Sequence, residues 1–441
     1  MKIIGLLIVC CLLVSACGAS DTDTDTDTDT DTNTVTATVS EPTAPSKVSA
    51  TATAVVEPEV PTLLEPTVVR LPADPAAPTD EWVGGVNAAG WEFHRHLRGN
   101  AVSSPMSIGV AFSLSRAGAS ADSGAILDEI FRFPPTGLHR AANAVDLRLA
   151  EASVEPTTLE VANRLFPDDG FELLPTFIDT ASAHYGASIQ PVNTADAANA
   201  SNTINRWVTD STRGLIPVIV SEDVVRNQEL ILVNTVYLKA DWLVPFLPEL
   251  TSVEDFTTAE GEPVAVPFMS DYNPVVRPFV QMPQFDAVKL PYEGGELAMW
   301  LILPHESVGL PAVEESLSAE TLTGLDDIAQ EGLVHLTMPK WEQALPPTDL
   351  FGWLCPLGFC AGAGFDGIAP GVFITAALHG AKVIVDEKGT EAAAATAISF
   401  ADSAPPEPDL VFVADRPFLW AITHLDTAAI LFMGRLVNPS E

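Results

Sequence analysis

The run Leu230-Ile-Leu-Val-Asn-Thr-Val-Tyr-Leu238 is apolar at nearly every position, which predicts a strand buried on both faces. A carboxamide inside such a strand, Asn234, must find hydrogen-bond partners there. Ala381–Val385 predicts a second strand, with His379 as a polar group just upstream. Phe418-Leu-Trp-Ala-Ile-Thr423 and Ala429-Ile-Leu-Phe-Met-Gly-Arg-Leu-Val-Asn-Pro439 predict a strand-rich C-terminus. Ser104-Pro105 predicts a helix start, with Ser104 and Ser107 adequately explained as capping residues.

One segment fits none of these patterns. Glu387-Lys388-Gly389-Thr390-Glu391 leads into Ala392-Ala-Ala-Ala-Thr396, and Ala397–Pro408 then shows no helical or strand period. A glycine pivot followed by small side chains can enter a packed sheet without rotamer strain. Thr390, Ala392, Ala394, Thr396 and Ile398 share one parity, so they would face a core if the segment became a strand, with Glu391 facing away. On composition alone the alanine run suits a helix or a linker equally well. The strand-rich sequence downstream favours a segment that changes conformation.

The chain has 441 residues, and its net charge of −38 opposes nucleic acid and anionic membrane surfaces. Lys2 and the apolar run Ile3–Val14 read as a signal peptide over residues 1–17. Leu13-Val-Ser-Ala-Cys17 resembles a bacterial lipobox, in which Cys17 would be lipidated; a plain signal peptide is the alternative. Gly18 in place of Asp gives no familiar inner-membrane retention signal. Residues 18–80, with Asp-Thr pairs from Asp21 to Thr32, are too polar to bury a core and predict a disordered tether. Charge and proline should extend it beyond about 45 Å. Residues 81–441 are long enough for one large domain. Cys355 and Cys360 allow a local disulfide in an exported protein, or two free thiols if a helix points them apart.

Enzyme signatures are missing from the sequence. It has no Gly-x-Ser-x-Gly elbow, no Ser-x-x-Lys and no phosphate-binding glycine loop. His305-Glu306 lacks the second histidine of a zinc helix, and His94 with His96 reads as a solvated helix surface.

The order of hinge, loop and C-terminal strand pair resembles the serpin family. So do Asn100–Ser107, Ala162-Asn-Arg-Leu-Phe166, Ile204-Asn-Arg-Trp207 with Thr212-Arg-Gly214, Leu238-Lys-Ala-Asp-Trp242, Leu290-Pro-Tyr292 and Met338-Pro-Lys340. Phe359–Phe365 looks shortened, and Asp366 stands where the family often has serine. The resemblance implies an α+β fold of three β-sheets, about eight or nine helices and an exposed reactive-centre loop. It implies a hinge of Glu387, Gly389, Thr390, Ala392, Ala394 and Thr396. Ser104, Ser107, Asn234 and His379 would form a shutter beneath the central sheet, and Trp242, Lys340 and Glu387 a breach at its upper end. Family spacing places the reactive bond at Ser403-Ala404, with Phe400 as the rival. The small Ser403 suits elastase-like or subtilisin-like targets, Phe400 a chymotrypsin-like one, and the loop has no Lys or Arg for a trypsin-like enzyme.

The function implied is a suicide-substrate inhibitor of serine endopeptidases. Its partners would be serine proteases, with cysteine proteases as a second class. It would be no enzyme itself, a monomer, free of cofactors and metal, and held to the cell envelope through the N-terminal lipid with its domain outside the cytoplasm. A non-inhibitory serpin acting as a binding module is the alternative, and a hydrolase a distant third. The acidity disfavours activation by a heparin-like polyanion.

Overall fold

The computed structural model describes residues 68–186, 188–390 and 406–441. The predicted signal peptide, Cys17, residues 18–67 of the tether, and Ala392, Ala394, Thr396, Phe400, Ser403 and Ala404 lie outside the described residues. Residues 68–80, read as tether, instead pack on the domain, with Arg70 bonded to Asn143 and Asp146 and a helix starting at Thr79.

A six-stranded sheet carries the features that matter for function. Its strands are β1 (Thr158–Pro167), β2 (Ser188–Ile189), β3 (Leu230–Asp241), β4 (Trp341–Asp349), β5 (Ala376–Val385) and β6 (Gly389–Thr390). Their order is β4–β5–β6–β3–β1–β2, and β5 also pairs directly with β3. β1 runs antiparallel to β3 from Thr158↔Lys239 to Pro167↔Leu230. β3 is buried from Leu230 to Leu238, as expected of a run with no solvent-facing parity. One face carries Leu232, Val236 and Leu238 into the main core, and the other sends Ile231 and Val233 into a separate cluster with Ile204 and Val208.

Among the described residues, a ten-stranded sheet and a two-stranded ribbon make up the rest of the β-structure. The C-terminal strands Phe418–His424 and Ala429–Leu436 pair antiparallel and are buried throughout. The described residues contain eleven α-helices rather than eight or nine; four of these have only four or five residues. Helix α2 (Pro105–Arg116) packs beneath the six-stranded sheet, with Met106, Phe112 and Leu114 fully buried, and helix α1 (Thr79–His96) packs against α2 and the strand Ala429–Leu436 of the ten-stranded sheet.

Two local readings are settled by the fold. His94 is not on a solvated surface: it is wholly buried. Its Nε2 lies 3.0 Å from Glu314, which also accepts from Arg435 Nη1 at 2.6 Å. The turn of α1 that carries it packs against helix Leu310–Ser316, and that long-range packing outweighs the local polar spacing. Cys355 and Cys360 are disulfide-bonded with Cα atoms 4.3 Å apart. The helix ends at Leu354, and Gly358, at φ 97°, turns the chain back, so the two side chains never share a helix. Asp366 accepts from the Gly371 amide at 2.9 Å and closes the turn where the sequence departs from the family.

Candidate functional site

The polar residues singled out in the sequence meet at the lower end of β3 and β5. Ser104 caps α2 by accepting from the Ser107 amide at 3.2 Å. Its own amide donates to His379 Nε2 at 3.2 Å. That bond requires a bare Nε2, so Nδ1 carries the proton and donates to Asn234 Oδ1 at 2.8 Å. Asn234 Nδ2 then donates to the Ser107 carbonyl and to Asn163 Oδ1, both at 2.6 Å. Ser107 Oγ donates to the Thr235 carbonyl at 3.3 Å. Capping and cluster-forming are therefore the same act for these serines. Asn163 is a member the sequence reading missed, although it lies in a stretch already recognised; its opposition to Asn234 follows from β1–β3 register.

Burial drives the His379 pKa down to about 3. The ring stays neutral in the folded protein while an unfolded chain takes up a proton near pH 6.5. Unfolded molecules thus bind more protons between those values, and stability must fall as pH drops from 6.5 toward 3, by up to about 1.4 kcal/mol per unit from this residue. His139, held at about 4 by burial, by His184 and by Arg116, adds with the same sign. The urea midpoint should fall steadily from pH 7 to 4, and the His379 ring resonance should not titrate above pH 4. A ring that titrates near 6.5 in the native state would contradict this assignment.

The upper end of the sheet is built differently. β5 runs up to Val385 and turns through Asp386, whose carboxylate accepts from the amides of Lys388 and Gly389 at 2.9 and 3.3 Å. The chain then runs down as β6 between β5 and β3, with Thr390 opposite Val385 on one side and Ala240 on the other. Only glycine fits at 389, because a Cβ there would collide with the Ala240 carbonyl. Thr390 is 2% exposed, and its hydroxyl meets that of Tyr292 at 2.7 Å. Tyr292 stacks on Trp242 with ring centroids 4.5 Å apart. Trp242 in turn donates from its amide to Lys388 O at 2.5 Å and from Nε1 to Asp386 O at 3.0 Å.

Lys340 Nζ bonds Glu387 Oε2 at 2.7 Å, while Thr251 donates to Oε1 at 2.7 Å. Burial pushes the Glu387 carboxyl up, but the bonds from Lys340 and Thr251 outweigh it and leave it below the usual carboxylate range. With Lys340 about one-third exposed, the pair is worth at most about 1 kcal/mol and mainly fixes the turn. Trp242, Lys340 and Glu387, singled out in the sequence, lie together at this turn. Tyr292 and Thr251 were not named as partners from the sequence, and only the folded contacts with Thr390 and Glu387 place them here.

Between the two ends β3 and β5 are not joined. They pair directly only from Ala376↔Ile231 to His379↔Asn234, and residues 235–239 and 380–384 share no ladder bonds. The sheet is closed below by a polar clasp, wedged above by a two-residue strand, and open along its middle.

Such an α+β protein, with a parted central sheet and a hinge at the gap, matches the family model described as Serpin (serine protease inhibitor) over residues 93–439. The chain belongs to the serpin family. It is 33% identical to the leukocyte elastase inhibitor of Bos taurus, covering 77% of this chain and 93% of that one. It is 32% identical to Antithrombin-III of Homo sapiens, covering 79% of each. Among solved structures it superposes on native protease nexin-1 with heparin at a TM-score of 0.71 and 28% identity, covering 82% of this chain and 99% of that one. Tengpin, a thermophilic serpin, shares the fold at a TM-score of 0.75 and 20% identity, with 84% and 97% covered.

Proposed function

We propose that this serpin inhibits serine endopeptidases as a suicide substrate, its cut loop entering the gap between β3 and β5. The observation that carries the reading is the register of β6. Gly389↔Asp241 and Thr390↔Ala240 fix an antiparallel alignment. Continued without a slip, it would bring Ala392 opposite Leu238, Ala394 opposite Val236 and Thr396 opposite Asn234. On the other side, Val385↔Thr390 continued would bring Thr396 opposite His379. Every inward position down to the clasp is thus alanine or threonine, and the strand would reach the clasp where the Asn234–His379 bond must part.

In this reading the protease attacks the loop with its own catalytic serine and forms an acyl-enzyme. Insertion then competes with deacylation, and whichever is faster decides between trap and turnover. Ser403-Ala404 is the proposed bond, for an elastase-like or subtilisin-like enzyme. Cys17 and the acidic tether would hold the domain at the bacterial envelope. Incubation with elastase and with subtilisin should give an SDS-resistant complex of summed mass. Complete loop cleavage at every ratio, with the protease left active and no complex, would exclude the reading.

A further inference from the structure

The ten-stranded sheet shows an apolar patch on its outer face. Strand Gln330–Pro339 turns Val334, Leu336 and Met338 into the core, leaving Leu333 and His335 half-buried on the opposite face. Register sets Val276 beside Leu333 along one edge. Along the other it sets Val411 beside His335, with Val413 two residues further on the same face. Val276 is 63% exposed and Val411 60%. Single exposed valines are ordinary, but adjacent rows of them on a sheet mark a contact surface.

The rim of this patch is acidic. Glu331, Glu407 and Asp409 are exposed around it, and Asp409 is anchored by accepting from the Leu333 amide at 2.8 Å. Arg277, the cation of the neighbouring strand, is buried in a two-pronged bond with Asp271 and offers no surface charge.

Its position gives it a use. Residues 391–405 lead to Pro406, and Val411 follows five residues later. Fully extended, the chain from Ser403 to Val411 spans at most about 28 Å. A protease of about 230 residues has a radius of gyration of about 17 Å, so one working on a bond near Ser403 has its body within reach of the patch. We infer that Val276, Leu333, His335, Val411 and Val413 form a second contact surface for the attacking protease, downstream of the cut. They fit an enzyme whose facing surface is apolar with a basic rim. This rests on the inhibitory reading above.

The test is a V276Q/V411Q variant of the full chain, compared with wild type against an elastase with a basic surface at low and high salt. The wild-type association rate should fall as salt rises, because the rims carry opposite charge. The variant should associate about tenfold more slowly, with unchanged melting temperature and unchanged inhibitor-to-enzyme stoichiometry. Equal rates would overturn the inference while leaving the inhibitory reading intact. A change in stoichiometry would place the substitutions in the insertion step and overturn it too. A wild type that sediments as a dimer, with a monomeric variant, would assign the patch to self-association instead. No complex with wild type under any condition would remove the reading on which the inference rests.

Discussion

A Thr390→Arg variant is expected to be cleaved by the target protease as fast as wild type and to trap almost none of it. Thr390 already lies between β3 and β5, buried with its hydroxyl on Tyr292, at the point from which the proposed insertion would extend. An arginine there would have to leave the gap or bury an unpaired charge beside a tyrosine ring. A cost of about 3 kcal/mol or more on the insertion barrier slows that step about 100-fold. Deacylation uses the protease's own residues and keeps its rate, so nearly every encounter should end in turnover. Gel bands read this directly, as complex is replaced by cleaved inhibitor. Thr390→Ser is the control, since it keeps a hydroxyl of the same reach and should retain trapping. If the arginine variant traps as well as wild type, insertion does not begin at this residue.

An Asn234→Ala variant should show the largest loss of stability. Its carboxamide is the hub of the lower clasp, accepting from His379 and donating to Ser107 and Asn163. Truncation leaves a buried N–H, a carbonyl and an amide oxygen unpaired at once, at a cost of about 3–5 kcal/mol. That corresponds to a fall of about 5–10 °C in melting temperature for a domain of this size. The same change removes the side-chain bond to His379 at the upper end of the direct β3–β5 pairing. The variant should therefore also lose activity on storage faster than wild type, as the sheet closes over loop residues without any cut. A melting temperature within 1–2 °C of wild type would show that the clasp does not hold the sheet shut.

Much of this was legible in the sequence where side-chain pattern and burial coincide. The unbroken apolar run around Asn234 predicted a strand buried on both faces, where a buried carboxamide had to be bonded. The parity of Thr390 agrees with its buried side chain, and Gly389 stands where a Cβ has no room. What escaped depended on distant neighbours. Nothing local to His94 announces Glu314 and Arg435, which lie more than 200 residues away. The Cys355–Cys360 bond depended on a short helix stopping before Cys360, where Gly358 turns the chain back.

The seating of β6 was the largest gap. The sequence showed a segment able to enter a sheet, but not that Gly389 and Thr390 are already in it. That outcome needs the Asp386 turn, the Trp242–Tyr292 stack and the parted edges of β3 and β5 together. It changes the mechanical picture, because insertion proposed here would lengthen an existing strand instead of starting a new one. Elongation requires no new register to be found, and the costly nucleus is in place before a protease arrives.

The most direct measurement compares thermal melting of the intact chain with that of the chain nicked once within residues 391–405. Severing frees the segment to fill the space between β3 and β5, so the nicked protein should melt tens of degrees higher. If it melts at the same temperature or lower, while still folded and cut at a single site, the parted sheet is not a receptor for its own loop.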